Sequence, residues 1–262
     1  MKGLIAAEWL KIRALRSTWW TLALTALAVI GSAVLAAQRD YANFPGYSLQ
    51  QQLTHGFSLS DSFPLNGYLI LIVVAASFGA ATMISEYSSG LIRATSVAVP
   101  ARGELLLAKA AVVAAVWTVV GACTAFGGFT VAQAILARRH ADVSVTDQAT
   151  VAGLAGAVLI GPAAALVGLG IAVLLRHGGT TYVTAILLLA LLPQLFTTNQ
   201  PLSAEIKHAT LLPAWQRLTE AYGPPQFVGD LYPPLVEAWL VYLIWPLAAV
   251  TAALIVHHRR DV

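Results

Sequence analysis

Charge is scarce in this sequence. Asp, Glu, Lys and Arg make up 10% of its 262 residues, where a soluble domain carries about 25%. That is too little to solvate the surface of a globule this long, which excludes a water-soluble domain. Cysteine is scarcer: Cys123 stands alone, so no intrachain disulfide can form, and its place in an apolar run reads as a small buried hydrophobe. Enzyme motifs are missing too. There is no G-x-x-x-x-G-K-[ST], H-E-x-x-H or G-x-S-x-G, and no Cys/His cluster at metal-ligand spacing. Ser85, Ser88 and Ser89 beside Glu86 lack a local histidine base. His257-His258 next to Arg259-Arg260 reads as a solvated basic tail, not a metal site. Intramembrane catalysis therefore ranks last among possible functions, and this chain is not expected to be an enzyme or to bind a cofactor or metal.

What the chain has in excess is apolar sequence, 58% of residues with a mean hydropathy of +0.74. It falls in runs near the ~20 residues that carry an α-helix across a bilayer core. The expected fold is an all-α polytopic membrane protein forming a single membrane domain, 1–262. Six spans are read at 18–37, 67–85, 110–137, 151–175, 181–197 and 238–256. The fifth is the shortest and carries Pro193. Span four has Ala152/Gly156, Ala157/Gly161 and Ala164/Gly168 at small-xxx-small spacing, a pattern that lets helices approach closely where lipid offers no hydrophobic drive. Pro162 is expected to kink it. Between spans four and five, Arg176 suits a helix C-terminus, and Gly178-Gly179 permit the left-handed cap.

Lys and Arg set the orientation. With the N-terminus inside, ten of the 15 lie on the inner side, among them Lys2, Lys11, Arg93, Lys109 and Arg260. Arg39, Arg138, Arg139, Lys207 and Arg217 lie outside. Both termini are thus expected in the cytoplasm. Arg138 and Arg139 oppose the rule unless they end a third helix that projects beyond the bilayer. Residues 1–17 read as an interfacial helix with Trp9 at headgroup depth, flanked by Lys11 and Arg13, although Glu8 falls inside its apolar arc. A cleaved signal peptide fits poorly, because the apolar run after it is too long. The outer stretch 38–66 is polar with scattered aromatics and reads as a small cap. In the outer loop 198–237, Leu211, Leu212, Trp215, Leu218 and Tyr222 form a helical stripe ended by Pro224-Pro225. It either dips into the outer interface or packs on the helix ends.

No ionisable side chain lies deep in any of these spans, which counts against a proton-driven carrier. The weight shifts to the loop 86–109. Tyr87, Leu91, Ala94 and Thr95 recur at helical spacing, Arg93 points off that face toward phosphate or a carboxylate such as Glu86 or Glu104, and Lys109 snorkels at the start of span three. A rigid helix here would be a lever for force from the cytoplasm. An ordinary basic loop that only sets topology fits the spacing equally well.

Two blocks carry a resemblance. One is Ala7-Glu8-Trp9-Leu10-Lys11-Ile12-Arg13 and its continuation to Trp20. The other is Glu86-Tyr87-Ser88-Ser89-Gly90-Leu91-Ile92-Arg93-Ala94-Thr95, running on through Pro100 and Arg102-Gly103 to Lys109. With the six-span layout, they resemble the membrane subunit of an ABC-2 type ABC transporter. That resemblance implies a bacterial plasma-membrane exporter working as a pair of permeases, with two copies of a separate P-loop ATP-binding subunit that carries the ATP and Mg. It implies an interfacial helix including Glu8, Trp9, Lys11 and Arg13, and a coupling helix with Glu86, Tyr87, Gly90, Leu91, Arg93 and Thr95 against the ATPase. It also implies a path lined by spans one, two and five and a re-entrant segment between spans five and six. Phe78, Met83, Leu188 and Phe196 are candidates for the path. The cargo would be hydrophobic or amphipathic, membrane lipid is a natural partner, and nucleic acid is not. The competing functions are an ion-coupled secondary carrier acting without an ATPase, and a membrane sensor built on the same ATPase complex.

Overall fold

The computed structural model describes residues 1–54, 57–89, 102–219 and 231–259. Among these the regular elements are all helical, with no strand. Helix α1 (Lys2–Ala14) ends where Leu15 turns extended, and α2 (Arg16–Asn43) starts at once as span one. Two short helices, α3 (Leu49–Thr54) and α4 (Phe57–Ser62), lead into α5 (Leu65–Ser88), span two. Span three is α6 (Arg102–Leu136), span four α7 (Gln148–Leu175), and span five begins as α8 (Gly178–Ile186). After α9 (Pro201–His208) and α10 (Leu211–Leu218) comes α11 (Leu235–Arg259), span six. Six of these helical segments are long and apolar enough to cross a membrane.

Span four is the most buried of the six and packs against spans two, three and six. Its small residues explain why. A Cβ on Gly168 would stand 1.9 Å from the Ala76 carbonyl oxygen, and one on Gly79 would stand 1.9 Å from that of Ala165. Spans two and four therefore touch backbone to backbone, as the small-xxx-small spacing leads one to expect. Span four runs on through Pro162 as one helix.

A break in the regular helix falls in span five. A π-helical turn, Leu187–Leu191, is followed by a 3-10 turn, Leu192–Leu195, that holds Pro193. Proline has no N–H to offer the preceding turn, so the ladder widens before it and tightens after it. The hairpin between spans four and five is also built differently from expectation. Arg176, not a glycine, takes the left-handed conformation at φ 55°. Gly178 and Gly179 lie inside the next helix, which His177 caps by accepting from the Thr180 N–H.

Span three extends for 35 residues, about 52 Å at 1.5 Å per residue. It outruns a ~30 Å hydrocarbon core, and the turn Ala137–Arg139 closes it. The stretch between spans one and two folds as the expected cap, with Phe44, Tyr47 and Phe57 packed ring to ring. Phe63 leaves that group for the core, where it meets Tyr68 and Phe129. The stripe Leu211, Leu212, Trp215 and Leu218 is buried. Trp215 stacks on Tyr68 at 4.8 Å, and α10 packs on spans four and six. Tyr222 lies outside the described residues.

Cys123 and His257 contradict their sequence reading. Cys123 is exposed on the surface of span three, not buried, because a helical turn that is apolar all round leaves one side facing outward. His257 is buried at 3% and is no part of a solvated tail.

Candidate functional site

At the end of the bundle where α1 lies, four charges meet. Glu8 and Lys11 come from α1, Glu86 from the last turn of span two, and Lys109 from the second turn of span three. Lys109 Nζ donates to Glu8 Oε2 at 2.5 Å and to Glu86 Oε1 at 2.9 Å. Lys11 Nζ donates to Glu8 Oε1 at 2.6 Å and to Glu86 Oε1 at 2.7 Å. Each lysine thus bridges both carboxylates in a closed ring of four ion pairs. The Glu8, Glu86 and Lys109 side chains are only 3 to 5% exposed, while that of Lys11 is 44% exposed. Buried charges at this density persist only when each is paired and hydrogen-bonded.

The local sequence explains each placement. Glu8 and Ile12 sit one helical turn apart and form the buried face of α1. Glu8 inside the apolar arc is therefore the inward-facing member, not a flaw in the pattern. Ile5, Trp9, Leu10 and Leu15 point outward with Arg13. Lys109 does not snorkel as expected. At 3% exposure it turns inward because two carboxylates wait for it. Burial pulls the Lys11 ammonium down, but the hydrogen bonds and charges of Glu86 and Glu8 outweigh it and leave its pKa above the ordinary 10.5. Lys11 therefore carries its charge throughout the neutral range, and its share of the ring weakens only as pH climbs through that raised value.

A cleft of about 820 Å³ opens beside the ring, between α1, span one and span two, with Tyr182 of span five at one side. Its wall on span two runs from Val73 to Ser89, about 24 Å of helix. Phe78 lines it and meets Trp117 edge to face at 5.8 Å. Of the other path candidates, Met83 is buried in the core and Leu188 packs partly buried against it. Phe196 is half-buried in the extended link after span five. Only Phe78 of the four faces this cleft.

On the neighbouring edge, the Arg176 guanidinium lies over the Tyr87 ring at 5.5 Å. Span two and the span four–five hairpin are thereby tied together just where the chain leaves for the 90–101 stretch. Gly90, Leu91, Arg93 and Thr95 lie outside the described residues, so of the expected coupling-helix contacts only Glu86 and Tyr87 have a described place. Sequence reasoning missed the ring itself. Its one visible sign was a Glu–Lys pair at i, i+3 with the Glu on the apolar side.

The architecture is that of an all-helical membrane protein with a charged foot to its bundle. The chain belongs to the ABC-2 family of transporter proteins, which it matches over residues 4–193. That stretch runs from α1 into span five and includes all four members of the ring. No match is found among curated proteins. Members of the family are membrane transport components and generally non-catalytic.

Proposed function

We propose that this chain is the permease subunit of an ATP-driven exporter in a bacterial plasma membrane. It pairs with a second copy and takes its power from two copies of a separate ATP-binding subunit, which hold the ATP and Mg. Both termini and the charged ring face the cytoplasm. The 86–109 segment is the docking lever, α1 lies in the inner interface, and the α9–α10 region closes the outer end.

The observation that carries this reading is the ring joined to the family match. Glu86 and Lys109 sit at the two roots of the 86–109 segment, and both are hydrogen-bonded to Glu8 either directly or through Lys11. Any displacement of that segment is passed to spans two and three and, through the same bonds, to α1. The cleft bounded by α1 and spans one and two must then change shape as the ring moves. Glu86 thus serves this reading as the fixed root of the lever, its side chain turned to the lysines, while Arg93 and its neighbours meet the ATPase.

Gentle purification of the tagged chain, with mass spectrometry of what accompanies it, tests the partnership. A P-loop ATPase in equal stoichiometry, lost when Arg93 is changed to Ala, is the expected result. A clean homo-oligomer under conditions that hold a known ABC complex together would overturn it.

A further inference from the structure

We infer that the cleft beside the charged ring binds a neutral amphiphile whose headgroup is rich in hydroxyl donors, such as an alkyl glycoside or polyol lipid. This rests on the permease reading and gives that permease a cargo class.

Three observations set the chemistry. The first is polarity graded along one wall. Val73, Val74, Phe78 and Ala81, with the single hydroxyl of Ser77 among them, line the end of the cleft farther from the ring, and Thr82, Ser85 and Ser89 the end beside it. A volume of about 820 Å³ suits a drug-sized or single-tailed ligand. Its tail would lie along the apolar end and its head at the polar one.

The second is charge. Two glutamates and two lysines neutralise one another within the ring. The ring therefore carries no net charge with which to draw a headgroup of either sign, and a charged head that displaced a ring member would leave its partner unmatched, which is costly. A neutral head meets no such cost.

The third is the direction of the hydrogen bonds. The Thr82 hydroxyl spends its proton on the Gly79 carbonyl at 2.7 Å, and Ser89 spends its own on the Ser85 carbonyl at 2.6 Å. Ser85 likewise donates to Thr82, at 3.4 Å. These hydroxyls then offer the cleft lone pairs, not protons. Lys11 has two of its three protons on Glu8 and Glu86, so it adds a single donor. The span-two hydroxyls at the polar end thus present acceptors, while Ser17, Thr18 and Tyr182, which also line the cleft, can donate, so the ligand that satisfies it brings several O–H groups, each both donor and acceptor. A phosphocholine head, which has no donor, leaves it unmatched.

The test is protection from labelling. Ser77→Cys is made in a Cys123→Ala background, and the full chain is placed in phosphatidylcholine nanodiscs. Maleimide labelling at position 77 is timed with submicellar octyl glucoside, octylphosphocholine, octyl sulfate or octylammonium. Octyl glucoside is expected to slow labelling about fivefold more than the other three. That advantage should disappear in Thr82→Val/Ser85→Ala. Equal protection by all four probes would show an unselective apolar crevice and overturn the inference. Strongest protection by octyl sulfate would show that Lys11 sets the site, and would also overturn it. Position-77 crosslinks between two chains, with no protection by any probe, would mean that a second copy fills the cleft and would overturn the inference. The assay needs no ATPase. Glucoside-selective protection in a chain that brings down no ATPase would therefore sink the permease reading and leave the ligand class standing.

Discussion

Glu8 and Lys109 are 101 positions apart and share a buried hydrogen bond, and that pairing governs what single substitutions do here. Lys109→Met leaves Glu8 and Glu86 facing each other with Lys11 alone between them. Breaking a buried ion pair from one side costs about 3 kcal/mol. Adding Glu8→Gln restores neutrality and is expected to recover at least ~1 kcal/mol of that loss as coupling between the two sites. Thermal unfolding of the two single variants and the double variant closes the cycle. Additive effects would show that the two residues are energetically independent. At this scale the sequence was a poor guide for a physical reason. Periodicity tells which face of α1 a residue occupies, but not what stands opposite it. Glu8 was visible as an anomaly. Its partners were not, since a lysine at a helix end looks the same whether it rises to the headgroups or turns to a carboxylate on another span.

Elements were far more legible. Long apolar runs specify membrane helices because unpaired backbone groups cannot be left in lipid, and each of the six runs folds as helix long and apolar enough to cross a membrane. The small residues of span four marked a packing surface correctly. Their partners on span two, Ala76 and Gly79, show only in the structure. Gly79→Ala and Gly168→Ala each drive a Cβ into a carbonyl of the facing helix, whereas a Cβ on Gly31 of span one meets nothing within 4 Å. The first two are expected to destabilise by about 1–3 kcal/mol. Gly31→Ala should be neutral or stabilising, through helix propensity alone. Melting temperatures of the three variants in one detergent check the order, and a Gly31 variant as damaging as the others would refute the close crossing. Irregular elements were less readable. Pro162 and Pro193 look alike in the sequence, yet span four carries its proline without a break while span five gives way to π and 3-10 turns. Span four is enclosed by neighbours on several sides and span five is largely exposed, so packing keeps one helix continuous and leaves the other to follow its proline.

For the whole molecule, the layout joins a family of transport components to a mechanical design. Span four is the buried centre, with spans one and six the least covered around it. A charged ring at one end clamps α1 to the roots of the 86–109 segment, and the cleft lies against that clamp. In the proposed permease the ring does more than stabilise: it carries motion from the ATPase to the cleft. The most direct test compares ATP-driven transport with ATPase assembly in proteoliposomes of the wild-type chain and of Glu8→Gln/Lys109→Met, whose ring is shortened but electrically balanced. The prediction is that the variant still assembles with its ATPase, while transport per ATP hydrolysed falls at least about tenfold. Transport by the variant at the wild-type ratio would contradict the account and leave the ring a matter of stability alone.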